Sequence, residues 1–174
     1  MKRLALSRRA AAVCAVAIAM LGAGCAREAP RDTHDADVNT IREGEVDWVR
    51  HWSVRDTERI VAHYSEDAWL TLPQRPPAKG KEAIRDLIKE MVQDAALRVT
   101  FEPTSVEVAR SGELGFTEGT YRLTLTDPAT RQPVTSKGAY VTIYHKIYGS
   151  WRAARSVHTS WIAPGDGGSQ PPAR

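Results

Sequence analysis

The chain has 174 residues, with 24 Lys and Arg against 21 Asp and Glu. Its pI of about 9.0 would suit a nucleic-acid partner. However, four of the basic residues precede Cys25 and every acidic residue follows it, which leaves 20 bases against 21 acids and no basic tract to track a phosphate backbone. The two cysteines, Cys14 and Cys25, both lie in the N-terminal segment, so the body of the protein has no disulfide and no thiolate nucleophile.

Lys2, Arg3, Arg8 and Arg9 precede an apolar run over 10–24. The run is shorter than the roughly 20 residues of a membrane span, and it reads as a signal peptide over 1–24. Leu21-Gly22-Ala23-Gly24-Cys25 resembles a lipobox, although Gly22 takes the place usually held by a bulky apolar residue. The resemblance implies lipidation at Cys25, with membrane association through that anchor alone. Ala26 in place of Asp implies outer-membrane anchoring in the periplasm. The alternative is ordinary cleavage, for example after Ala26. Residues 25–36 form a polar tether, 37–162 one domain, and 163–174 a tail too poor in apolar residues to pack.

Within the domain the period of the apolar residues changes once. Ile41, Glu45, Trp48 and Trp52 fall at helical spacing, which predicts a first helix over Asp37–Trp52. Ser53-Val54-Arg55-Asp56 fits a capping box that opens a second helix over Val54–His63. Ser65-Glu66-Asp67 reads as a polar break, and 68–72 as a short strand stopped by Pro73. Ile84, Leu87, Ile88 and Met91 share one face of a third helix over Gly80–Ala95. From Leu97 the period is two. Leu97, Val99 and Phe101 alternate with polar residues, Pro103 interrupts, and Val106 and Val108 resume. Long strands follow over Phe116–Thr126 and Val134–Ile147, with Gly138 a candidate bulge, and Trp151–Ile162 closes the sheet. Helices followed by antiparallel hairpins give the α+β class: a strongly curved antiparallel sheet covered by three N-terminal helices, a cone with a mouth.

The ordered set Asp56, Tyr64, Asp67-Ala68, Pro73, Gly80 and Ile84, with Gly119-Thr120-Tyr121 and Gly149-Ser150-Trp151 further on, resembles the SnoaL-like and ketosteroid isomerase-like superfamily, the nuclear transport factor 2-like cone fold, and within it a bacterial branch of uncharacterised function. The resemblance spans roughly 37–162. It implies the cone fold and leaves activity open, because this fold hosts many unrelated functions. In ketosteroid isomerases a tyrosine on the first helix donates to the developing enolate oxygen and an aspartate before the strand-ending proline moves the proton. Ungapped counting puts those places at Trp48, which can donate but not titrate, and Leu72, which can do neither. The expectation is therefore against isomerase catalysis of that type.

Two other groups are candidates for catalysis. His158 shares a strand face with Ser156 and Ser160, and Glu118 shares one with Arg122; either could support acid–base work in a SnoaL-like cyclase, isomerase or hydratase, or be an ordinary hydrogen-bonded or surface residue. The histidines show no metal-ligand spacing, and no cofactor is expected. Trp48, Trp52, Tyr64, Trp69, Tyr121, Tyr140, Tyr144 and Trp161 are the candidate ligand-binding set. They either fill the cone as core or line a pocket for a small, largely apolar molecule. The remaining expectation is a homodimeric interaction module, since relatives often pair through the sheet.

Overall fold

The helical stripe at the start of the domain holds more charge than its apolar members suggest. A computed structural model describes residues 33–161; the expected signal peptide, Cys25 and the C-terminal tail lie outside the described residues. Helix α1, His34–Ser53, buries Asp37, Ile41, Glu45, Trp48 and Trp52. Two of these five are carboxylates, one near the helix start and one about two turns later.

Ser53 does not open a second helix. It ends α1, where its hydroxyl donates to the Arg50 carbonyl at 2.7 Å. Arg55 then takes the left-handed conformation (φ 58°) and breaks the run. Asp56 is the cap of α2, Thr57–Ala62, accepting from the Arg59 backbone N–H at 3.0 Å. The Arg55 guanidinium reaches across to the Val92 and Ala95 carbonyls at 2.9 and 3.1 Å. These lie at the C-terminal end of α3, Lys81–Gln93, where carbonyls lack helical partners and a cation is favoured. Ile60, Val61, Ile84 and Ile88 are fully buried where α2, α3 and the sheet meet. Each such side chain contributes about 1.5–3 kcal/mol over leaving it in water.

The strands are β1 Tyr64–Thr71, β2 Ala78–Lys79, β3 Arg98–Val108, β4 Leu114–Thr126, β5 Pro133–Ile147 and β6 Ser150–Trp161. They form one curved, unclosed sheet in the order β2-β1-β6-β5-β4-β3. All neighbours are antiparallel except β1 and β6, which run parallel. The Ser65–Asp67 stretch is part of β1 rather than a break. The pairing of β1 with β6 shifts between Tyr64 and Trp69, and the irregularity absorbs the polar residues. Pro103 also stays within its strand. β3 is an edge strand with a bulge at that point, so the missing N–H costs no ladder bond.

Gly138 is not a bulge, because the β4–β5 register runs through it without a shift. It is a close approach instead. A Cβ there would lie 1.7 Å from the Thr159 carbonyl oxygen and 2.8 Å from Cε1 of Tyr121. The bulge is Ala154, left unpaired where Ile143 faces Arg155 and Tyr144 faces Ala153. It changes which residues of β6 face inward: Trp151 and Ala153 are buried before it, Ala154 and Ser156 from it onward.

Gly138→Ala should therefore destabilise the fold by about 1–3 kcal/mol through overpacking. Urea denaturation should show a lower midpoint with an unchanged slope; an unshifted midpoint would mean that the two strands and Tyr121 separate at little cost.

Candidate functional site

Glu45 is the centre of the site. Helix α1 carries it, 1% exposed, against the inner face of the sheet. Three hydroxyls donate to it: Thr117 of β4 at 2.8 Å and Tyr144 of β5 at 2.5 Å to Oε1, and Tyr140 of β5 at 2.9 Å to Oε2. Burial pushes the carboxyl up, and the three hydroxyls pull it down without undoing the rise. Among the described residues, none of the groups acting on it is a cation. Burial, followed by the Glu45 charge, raises Tyr64, Tyr140 and Tyr144, so these phenols stay protonated, and Tyr140 and Tyr144 donate to Glu45.

Beside Glu45 lies a cleft between α1, the start of the sheet and its long strands. Its space counted out to the mouth is about 560 Å³, and its clear interior is about 50 Å³. By the measure in which one water needs ~10–15 Å³, that interior holds about three to five waters. The cone is thus neither filled nor wide open. The walls are largely aromatic, and the Trp48 ring joins them: it stacks on His63 at 4.9 Å and meets Tyr64 and Phe101 edge-on at 4.9 and 5.8 Å.

Among the described residues, three buried side-chain polar atoms have no hydrogen-bond partner: Trp48 Nε1, Tyr121 Oη and His158 Nδ1. All three residues line this cleft. An unsatisfied buried group costs ~1–3 kcal/mol, and each such case needs a reason. Tyr121 reaches its place because Gly138, its partner across β4 and β5, has no Cβ to obstruct the ring. His158 lies between Tyr121, edge-on at 5.0 Å, and Tyr140, stacked at 5.8 Å. Its Nε2 shares a hydrogen bond with Ser156 at 3.1 Å, and Ser156 shares another with Thr142 at 3.1 Å. Burial pushes the His158 imidazole down to about 4, so at neutral pH it is uncharged.

The structure brings Trp48, Trp52, Tyr64, Tyr121 and Tyr140 of the aromatic candidates together on the cleft, along with His158. Tyr144 lies behind the wall as a ligand of Glu45. Trp69 and Trp161 do not face the cleft. Trp69 is 40% exposed, with Lys79 and Arg155 over its ring at 4.2 and 5.3 Å, and Trp161 is 48% exposed at the end of β6. Glu118 is exposed too, because Thr117 takes the inward position beside it on β4. Leu72, the position that counting assigns to the isomerase base, lines the cleft as an alkyl wall. Among the described residues, no group of three His, Cys, Asp or Glu is placed to hold a metal ion. Glu45 is the member of the site that motif reasoning passes over. Its signal was a carboxylate inside an otherwise apolar helical stripe.

His63, like His158, is pushed down to about 4, by burial first and then by its neighbour His51, whose Nδ1 lies 3.1 Å from His63 Nε2. Both folded values lie below the ordinary value of 6.5. The associated stability is complete above 6.5 and is lost as pH falls from there to about 4, the interval in which mainly the unfolded chain takes the proton. His158→Gln should therefore lose less stability between pH 7 and pH 4.5 than the native chain, by roughly 1–2 kcal/mol in urea melts. Parallel pH curves for the two proteins would show that His158 charges freely in the fold.

A model of the SnoaL-like domain family matches residues 46–153. No curated protein matches the chain. Solved structures do. A ketosteroid isomerase-like protein from Erwinia carotovora atroseptica is 22% identical, with 74% of this chain and 98% of that one covered and a TM-score of 0.63. An NTF2-like protein with a cystatin-like fold from Novosphingobium aromaticivorans is 17% identical, with 87% and 90% covered and a TM-score of 0.60. A domain of unknown function with a cystatin-like fold from Nostoc punctiforme is 20% identical, with 74% and 79% covered and a TM-score of 0.61. At these identities the likeness shows the fold alone. The family match spans more than half of the chain, and with the α+β cone just described it leads to one assignment: the protein belongs to the SnoaL-like domain family, within the NTF2-like, ketosteroid isomerase-like superfamily.

Proposed function

We propose that the domain binds a small, largely apolar molecule in the Glu45 cleft, without catalysis of the ketosteroid isomerase type. The observation that carries this reading is the convergence of three unpartnered polar atoms, on Trp48, Tyr121 and His158, in one aromatic-lined cleft. Aromatic walls supply the apolar contact and sparse polar groups fix orientation. Leu72 holds the place of the base and has no proton to exchange. A SnoaL-like enzyme using His158 is the second reading. It is favoured by the neutral imidazole on the cleft wall and its hydrogen bond to Ser156. Glu118 supports neither reading, since it is exposed on the other face of β4.

Native mass spectrometry of the purified protein detects the retained molecule, and chromatography of that molecule after hours with the protein separates the two readings. Binding alone returns it unchanged, whereas catalysis returns a rearranged, cyclised or hydrated product, even where the mass is the same. Tyr121→Phe should weaken retention about tenfold while leaving the empty protein as stable as before or more so, because an unpaired buried hydroxyl is removed. A destabilised Tyr121→Phe protein with full retention would sink the binding reading of Tyr121. The same measurement on protein from the envelope of the producing cell would report cleavage before Cys25 and an attached lipid, as expected for an exported lipoprotein.

The outward face of the sheet supports a second copy of the chain as partner. Val141 and Val157 are paired across β5 and β6, and both are more than 40% exposed, with Trp69 on the same face beyond them. Light scattering should give twice the monomer mass, falling to the monomer in Val141→Lys. A native chain that is monomeric at high concentration would remove this part of the proposal.

A further inference from the structure

The carboxylate behind the cleft bears on which molecules fit it. Among the described residues, Glu45 receives three hydrogen bonds, all from neutral hydroxyls, and no cation acts on it. Those donors solvate the ionised form of the carboxylate but leave its charge uncompensated, and a buried ion needs an opposite charge as well as hydrogen bonds. The other buried acid of α1 shows the contrast. Asp37 takes Lys146 Nζ at 2.6 Å, together with Trp151 Nε1 at 3.1 Å and Thr33 Oγ1 at 2.7 Å. There, hydrogen bonds and the Lys146 charge outweigh burial and hold the carboxyl below its ordinary range. Glu45 has the same helix and a deeper setting, but no lysine.

What Glu45 has instead is aromatic surface. Trp48, Tyr64, Phe101 and Tyr140 share the cleft with it, and aromatic faces attract a desolvated cation. The Tyr140 hydroxyl donates to Glu45, so the ring and the carboxylate present negative potential together. His158 is neutral and does not oppose a positive charge. The unpartnered Trp48 indole N–H and Tyr121 hydroxyl call for an acceptor oxygen on the same molecule. We infer that the cleft selects a small organic cation, a methyl-covered ammonium with an oxygen acceptor a few bonds away, in preference to neutral or anionic molecules of the same shape. This inference rests on the cleft-binding reading and narrows it to one charge class.

Three probes of nearly one shape test it: choline, the neutral 3,3-dimethylbutan-1-ol and the anionic 3,3-dimethylbutanoate. Calorimetric titration of the purified chain should give the order choline, alcohol, carboxylate, with choline at least about tenfold tighter than the alcohol. Glu45→Gln keeps the shape and removes the charge; it should bring choline and the alcohol within about threefold of each other, with folding checked by circular dichroism. If that variant does not fold, the comparison of the three probes on the native chain still decides. Equal or tighter binding of the alcohol would overturn the charge selection and leave the cleft reading standing. Failure of all three at millimolar concentration would overturn the inference, and the ligand adduct in native mass spectrometry then judges the cleft reading by itself.

Discussion

A buried carboxylate joins the two layers of this protein. Glu45 sits on a helix, and its three hydrogen bonds come from two strands of the sheet, so the helix cannot lift away without stripping a charged or charge-ready group of its partners. Removing one partner from a buried ionisable group leaves a desolvated atom whose cost exceeds the ordinary value of a hydrogen bond. The network therefore acts as a registration device as well as a contact. It fixes how far α1 slides along the sheet, and with it the position of Trp48 one turn later. Asp37 fixes the other end of the helix through Lys146 and Trp151. Between these two anchors, Ile41 fills the gap over Gly115, where a Cβ would lie 2.8 Å from its Cδ1.

The cleft follows from this arrangement. The inner face of β4 and β5 alternates small with large: Thr117, Gly119 and Tyr121 stand opposite Thr142, Tyr140 and Gly138. Each tyrosine has a glycine across from it, which leaves space that the helix does not fill. A packed core would place another apolar side chain there. Here that space is bordered by polar atoms without partners, and their cost is tolerated because the rest of the domain is well packed around Ile60, Ile84 and Ile88.

The resemblance to isomerases and the observed site separate fold from chemistry. The same cone puts Trp48 and Leu72, the positions that ungapped counting assigns to the isomerase donor and base, on the cleft wall. One has an N–H and the other has no polar group. The ionisable groups of the site include Glu45, one turn before Trp48, and His158 of β6, neither of which stands at those two positions. Fold-level kinship therefore says where to look in the molecule and not what happens there.

The sequence by itself determined the helices and most strands, because helical and alternating periodicities are local and survive in a string of letters. Ile84, Ile88 and Met91 announced α3, and Tyr121, Leu123 and Leu125 announced β4. It also determined that Leu72 cannot be a base, which needs no coordinates. Local reading misplaced what local signals share: Ser53 looked like a cap but ends α1, and Gly138 looked like a bulge but marks a close approach of strands. Only the tertiary structure decided which aromatics meet. Strict alternation from Trp151 would turn His158 outward, and the extra residue Ala154 brings it in. No stretch of sequence shows that Glu45 lies against Tyr140 and Tyr144, some 95 and 99 positions away. Inward facing is set by strand register, and register is set by bulges and by pairing with residues distant in the chain.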